Sequence, residues 1–403
     1  MNLLFAWRYF KSKKSTNAIN LIAWISVVAI GVGAAALILV LSVFNGFEGL
    51  VKGLYADFYA DVRIAPAEGK FISINTAQWQ SIQSTKGLQA MSGVVEEKAV
   101  LTNGDCSSIV YIRGVDSTYT AVSKLNTHIR RGKFVLGTAE QPSLVVGVGI
   151  ENAACLDVER PAGPVTLYMP NRQSSNFASG DALNAYNATA LGTFMVQQDF
   201  DNKYAFSNID FMRFMLGLHA DQYSAIDIRA GANADQVKKD LQAKLGKAFL
   251  VQTRYEQNQS LYTVMQIEKW VIYGILSLIL VVAAFNMIGA LTMLVLEKQK
   301  DISVLQAMGA SQQRIQWIFI SEGLLLAGLG GGAGMLLAAL VCWVQIKFEL
   351  IKLGGNTFVI DYYPVKMLAA DFALVGVTVF LIALIAAYLP SRKASLQAFS
   401  LKS

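Results

Sequence analysis

Glu322 is the residue of this 403-residue chain whose surroundings most demand a chemical reason, since it interrupts an otherwise uncharged run from Ile315 to Ile346. An acid inside an apolar run is costly enough to suggest function, although a buried hydrogen-bonding role meets the same cost. No other constellation points to catalysis. His128 and His219 lie far apart without flanking ligand patterns, so neither a metal site nor a serine triad has a basis, and no metal or cofactor is expected. No carboxylate pair stands out, and the glycines Gly147 and Gly149 lack the third glycine of a dinucleotide fingerprint, which makes them a strand-to-helix turn. The phosphate-cradling pattern GxxxxGKS/T is absent, so any ATP that drives this chain is bound by another one. Of the three cysteines, Cys342 lies in an apolar run. Cys106 and Cys155 could bond only in a domain outside the cytoplasm, and their spacing does not decide it.

A second stretch carries chemistry of a different kind. From Asn286 to Ser311 an apolar helix gives way to a charged one bearing Glu297, Lys298, Lys300 and Asp301, then apolar Ile302, Leu305 and Met308. Gly309 stands where a C-terminal cap belongs and Ser311 where the next helix would start. Periodicity alone leaves two readings open: a helix floating on lipid headgroups, or a docking surface for a partner.

The composition fits a protein that is part membrane and part aqueous domain: 54% hydrophobic, 15% charged and a mean hydropathy of +0.42. Its net charge of +6 could suggest nucleic acid, but the basic residues gather beside the apolar runs. Arg8, Lys11, Lys13 and Lys14 precede the first run, and Arg392, Lys393 and Lys402 follow the last. That pattern records membrane orientation and puts both termini in the cytoplasm. From Ser15 to Phe47 there are 33 residues without a charge, too long for a cleaved signal peptide. Further spans are expected around Trp270–Leu296, Ile315–Ile346 and Phe372–Ser391, with small-residue spacing at Gly31 and Ala35 and at Gly328, Gly330, Gly331, Gly332 and Gly334 for close helix packing. The apolar stripe of the first span continues through Phe44, Phe47, Leu50, Leu54, Tyr55 and Phe58, which predicts a stalk.

The intervening region has the length of one or two domains. Short β-branched runs at Asp61–Ile64, Val94–Leu101, Ile109–Ile112, Val165–Met169 and Ala225–Ile228 predict strands. Asn75, Asn208 and Asn233 read as helix caps. A mixed α+β domain follows, with the Ser/Asn/Ala/Gly-rich stretch Asn171–Ala190 as a long loop or projecting hairpin.

The stretches WISVVAIGVGAAALILVLSVFNGFE (Trp24–Glu48), VVGVGIENAACLDV with VTLYMP (Val145–Pro170), YEQNQSLYTVMQIEKW (Tyr255–Trp270), VAAFNMIGALTMLVLEKQKDISVLQAMGAS (Val282–Ser311) and AAYLPSRKAS resemble the lipoprotein-releasing ABC transporter permeases of the LolC/LolE type. The second is shared with the wider group of macrolide-exporter and cell-division permeases. The resemblance implies an inner-membrane permease with four spans, a large periplasmic domain, a second permease subunit of the same or a different sequence, and a separate ATPase dimer. It turns the elbow into an ATPase-coupling surface at Glu297, Lys298, Asp301, Leu305, Met308 and Gly309, and makes Phe44, Asn45, Phe47 and Leu50 candidate lining of a lipoprotein cleft. Two departures stand out: Asn171–Ala190 contains no proline where the family's carrier-recruiting member has a proline-flanked hook, and Pro164 follows Gly163 where an acidic residue is usual.

The expected organisation is an α-helical membrane protein with four transmembrane helices plus a large α+β periplasmic domain inserted between the first and second. In numbers, this is a basic cytoplasmic segment at 1–17, spans at 18–47, 269–296, 312–346 and 368–391, a periplasmic domain with stalks at 48–268, a coupling helix at 297–311, a periplasmic loop at 347–367 and a cytoplasmic end at 392–403. The expected function is ATP-driven extraction of lipoproteins from the outer leaflet toward a periplasmic carrier. The alternatives are a permease of the macrolide- or peptide-exporter type, and a membrane-anchored interaction or signalling module without transport.

Overall fold

The structure, a computed structural model, describes residues 17–161, 163–170, 183–231, 233–353, 360 and 362–395. The chain divides into two units, one helical and one α/β. Among the described residues, four helices are long and apolar enough to cross a membrane: the first, Asn17–Phe58; the second, Gln259–Glu297; the third, Gln312–Phe348; and the fourth, Ala369–Ser395. At about 1.5 Å per residue, each of the four is longer than a hydrocarbon core of about 30 Å.

In the helical unit, small residues set how closely the helices approach. A side chain added to Gly334 on the third helix would come within 2.1 Å of the Gly31 carbonyl on the first, and one on Gly330 within 2.4 Å of the Val27 carbonyl. Gly331 faces Val379 and Gly323 faces Ala387 on the fourth helix. Lipid tails are as apolar as the helices, so this backbone proximity, with its dispersion contacts, is what can favour association. Gly328 and Gly332, in the same stripe, have nothing within 4 Å. Behind the glycines, Ile30, Leu37, Ile38 and Leu41 pack with Leu280, Met287, Leu326 and Val375 in one buried cluster.

The α/β unit, Val51–Tyr262, has twelve strands among its described residues. These are β1 (Val62–Pro66), β2 (Ile72–Ser73), β3 (Leu88–Asn103), β4 (Cys106–Val115), β5 (Ile129–Gly132), β6 (Ser143–Gly147), β7 (Val165–Pro170), β8 (Leu183–Phe194), β9 (Tyr204–Asn208), β10 (Gln222–Tyr223), β11 (Ala225–Ala230) and β12 (Phe249–Thr253). The five expected strands are among them, but the sequence reading missed the ring they make. β3 pairs β4, β4 pairs β9, β9 pairs β6, β6 pairs β8, β8 pairs β7, and β7 returns to β3. All six strands feed one buried cluster that includes Val95, Leu101, Ile112, Leu144, Leu167, Ala188 and Ala205. Closing the ring removes sheet edges that would otherwise stay open. On the far flank of β3, β11, β1 and β12 extend the sheet over a second cluster with Val62, Ile226, Leu241 and Val251.

Of the two readings of Asn171–Ala190, loop or projecting hairpin, the second part follows the hairpin: residues 183–190 belong to β8, paired antiparallel with β7 from Val165↔Ala188 to Pro170↔Leu183. Alternation in Leu183–Ala190 is masked by small polar residues, so the strand rests on its partners and not on its own pattern. Residues 171–182 lie outside the described residues. The asparagine caps behave as read. Asn75 forms a reciprocal capping box with Gln78, Asn208 accepts from the Asp210 N–H at 2.8 Å, and Asn233 accepts from the Gln236 N–H at 3.3 Å.

The glycine contacts give a contrast within one stripe. Gly334→Leu in the full-length, detergent-solubilised chain should lower stability by about 1–3 kcal/mol or more, because overpacked atoms must displace backbone. Gly332→Leu should leave it nearly unchanged. Equal melting shifts for the two would contradict the packing described.

Candidate functional site

The elbow begins where the second helix stops at Glu297. Lys298 leaves helical geometry (φ −91°, ψ 14°), and a short helix, Gln299–Ala307, follows. Its end is fixed by Gly309 at φ +87°, a conformation that disfavours side chains, and by the Ala310 N–H donating to the Leu305 carbonyl at 2.9 Å. Ser311 then caps the third helix, its hydroxyl accepting from the Arg314 N–H at 3.4 Å. Lys298 and Asp301 form an ion pair at 3.1 Å across one turn. The Glu297 Oε2 atom is buried and has no hydrogen-bond partner among the described residues.

The faces of this helix differ from the sequence expectation. Ile302 is 2% exposed and packs with Leu294, Val295, Ile315, Phe319 and Ala394, which ties the elbow to the ends of the second, third and fourth helices. Met308 is 78% exposed and Val304 58%, while Leu305 is half-buried. At about 100° per residue, positions 302 and 308 sit about 120° apart, whereas 304 and 308 sit within about 40°. The outward apolar pair is therefore Val304 and Met308, and Ile302 is the anchor.

The residues expected at the outer end of the first span differ in exposure. Phe44, Phe47 and Leu50 are half-buried, and the Phe47 ring meets Tyr363 edge-on with centroids 5.8 Å apart. Gly46 lies where a side chain would strike the Pro364 carbonyl at 2.1 Å, and the Lys366 N–H donates to the Ser42 carbonyl at 2.9 Å. Asn45 is corrected from lining to interior: it is 3% exposed and bonded to Lys269 and Asp371. Asp371, inside the fourth helix and 5% exposed, and Lys269, inside the second, fall within the expected spans 269–296 and 368–391, but the uncharged runs that defined those spans begin one residue after each, so neither charge was singled out. Glu322 is buried on the third helix at 2% exposure. No group of three metal-ligating side chains accompanies it or any other acid among the described residues.

In the α/β unit, the end of the first helix is held by a buried cation. Arg113 on β4 is 1% exposed, its Nε donates to Glu96 at 2.6 Å, and its guanidinium lies 5.2 Å from the Phe58 ring centre and 4.8 Å from that of Tyr204. Burial would raise the Glu96 carboxyl, but Arg113 and Arg63 outweigh it and hold that carboxyl below its usual range. Phe58 also stacks on Phe200 at 4.0 Å. A disulfide joins Cys106 to Cys155, and Asn103 adds a 2.9 Å hydrogen bond to the Cys155 carbonyl. A pocket of about 370 Å³ is lined by Arg130, Arg131, Glu151, Asp201 and Asn202. Burial pushes the Asp201 carboxyl up to about 6, against the opposing hydrogen bond from the Val196 N–H at 2.9 Å.

Residues 273–397 match the family described as FtsX-like permease C-terminal. Over 414 aligned residues the chain is 28% identical to the lipoprotein-releasing system transmembrane protein LolC of Neisseria meningitidis serogroup B, covering 97% of each. It is 26% identical to LolE of Haemophilus influenzae, covering 97% of this chain and 96% of the other. An uncharacterized ABC transporter permease of Methanocaldococcus jannaschii shares 28% identity over 204 residues, 49% of each chain. The likeness to LolC/LolE-type permeases runs through both units, and it comprises LolC and LolE at comparable identity.

Proposed function

From a chain of LolC/LolE permease type, we propose a subunit of an ABC transporter that extracts acylated lipoproteins from the outer leaflet of an inner membrane, for transfer to a periplasmic carrier. The observation that carries the reading is the elbow. An apolar pair, Val304 and Met308, stands exposed on a helix whose other face is locked by Ile302 to three membrane helices. A helix that only rested on lipid would gain nothing from such anchoring, whereas one that receives a push needs it. The sequence lacks GxxxxGKS/T, so the push comes from a separate nucleotide-binding subunit, with Glu297, Lys298, Asp301 and Gly309 shaping the rim of the contact.

The work required is large. Withdrawing acyl chains from a bilayer costs about 0.8 kcal/mol per CH₂, so a multiply acylated cargo asks for tens of kcal/mol unless the protein offers an apolar surface on the way. Phe44, Phe47 and Leu50 at the outer end of the first helix supply candidates for that surface. The Cys106–Cys155 disulfide supports a periplasmic α/β unit, since such bonds persist in oxidising compartments. The basic residues flanking the first and last spans support cytoplasmic termini. The second permease subunit is a further copy of this chain or a relative of it.

Two measurements follow. Val304→Glu combined with Met308→Glu should abolish co-purification of the nucleotide-binding subunit while the permease still reaches the membrane; undiminished co-purification would remove the docking role. A photo-crosslinking amino acid at Phe44 or Phe47 in cells should give adducts with acylated lipoproteins. Adducts with soluble, unacylated cargo would instead favour an exporter of the macrolide type.

A further inference from the structure

The four membrane helices are not equally well packed. Within the most apolar stretch of each, 50% of the first, 33% of the third and 28% of the fourth is buried, but only 22% of the second. The first, third and fourth are drawn together at Gly31, Gly330, Gly334, Gly323 and Gly331. The second helix packs in the same buried cluster through Leu280, Met287 and Leu291, with Leu280 against Gly33 and Leu291 against Gly323, and it carries polar links as well. At its outer end Lys269 donates to Asn45 Oδ1 on the first helix at 2.8 Å and lies 3.6 Å from Asp371 Oδ1 on the fourth. The Asn45 amide donates in turn to Asp371, which closes a triangle across three helices. One turn further along, the Tyr273 hydroxyl bonds Thr378 on the fourth helix. Thr378 already donates to the Leu374 carbonyl at 2.8 Å, so Tyr273 is the donor. Lys269 and Tyr273 are spaced by four and Asp371 and Thr378 by seven, so both links lie along one seam.

A buried ion pair is a poor way to gain stability, because desolvation consumes much of its attraction and apolar packing would serve as well. What it offers is direction and a contact that water can replace. We propose that Lys269, Asn45 and Asp371, with the Tyr273–Thr378 link below them, form a release catch that holds the second helix closed against the first and fourth. Nucleotide-driven motion of the elbow, which joins the second helix to the third, opens this catch and lets the second helix swing away. This rests on the transporter reading for its driving step. The closed state itself does not, since it is a property of the helical unit without cargo. The five side chains are positioning residues: they set when the helices separate and do not touch what is carried.

The test measures helix separation in the assembled complex, in nanodiscs, with spin labels at Val40 and Val271 and Cys342 replaced by Ala. No lipoprotein is present, so the result is independent of the cargo assignment. The unsubstituted complex should show a single short distance without nucleotide and a longer one with a non-hydrolysable ATP analogue. Lys269→Met should raise the separated-to-closed ratio about tenfold or more in the absence of nucleotide. The exchange Lys269→Asp with Asp371→Lys should return it toward the starting value. Tyr273→Phe, which removes only a hydroxyl and decides the matter if Lys269→Met fails to assemble, should shift the ratio in the same direction by a smaller factor. Distance distributions unchanged by Lys269→Met and Tyr273→Phe, or an exchange variant as open as the single one, would overturn the catch.

Discussion

Everything in the helical unit depends on the backbone contact between the first and third helices at Gly31, Gly330 and Gly334. In lipid, helices gain little by hiding apolar surface from one another, so rigidity must come from proximity of main chains. Glycine permits that proximity, and Ala387 and Val379 continue it onto the fourth helix. Three helices thereby become a frame. The second helix packs on this frame through side chains, Leu280 against Gly33 of the first helix and Leu291 against Gly323 of the third, while its own Gly274 and Gly289 have nothing within 4 Å. Leu280, Met287 and Leu291 hold its middle in the buried cluster, polar groups link it toward one end, and the Ile302 cluster holds the elbow at the other. A glycine-packed frame carrying one helix on apolar packing plus a polar link at one end is an arrangement that can yield at that link without losing its shape.

The elbow shows which properties a sequence carries locally. Its boundaries were legible in Gly309 and Ser311 because caps act within one turn: one residue adopts φ +87° and the other offers a hydroxyl to an N–H three residues on. Its faces were not. Ile302, Leu305 and Met308 look like one stripe in the sequence, but Ile302 turns toward Leu294, Ile315 and Phe319, and the tertiary contacts choose the outward pair. Asp371 and Lys269 were hidden for a related reason. A span recognised by its charge-free run draws no attention to the charges at its ends, and here those charges are the ones that meet across helices.

The α/β unit was legible in class but not in topology. β3 reads as a strand from Val94 to Leu101, yet what closes the ring is β7 reaching both β3 and β8, pairings between residues far apart in sequence. β5, β6, β9 and β12 are four or five residues each and carry too little alternation to be seen singly. Arg113 was likewise missed, because a lone arginine in a β-branched run says nothing of the Glu96 and Phe58 that bury it. The disulfide, which spacing had left open, is settled by Cys106 at the start of β4 lying 5.9 Å, Cα to Cα, from Cys155.

The central claim is that this chain does membrane-extraction work on acyl chains with energy from a partner subunit. It is tested most directly by reconstituting the purified complex in proteoliposomes loaded with an acylated lipoprotein, and measuring its appearance on a soluble acceptor. The account predicts release that requires ATP and the acyl chains, with the same lipoprotein stripped of its lipid neither released by nor stimulating hydrolysis. Stimulation and movement of the unacylated protein to the same extent would contradict it.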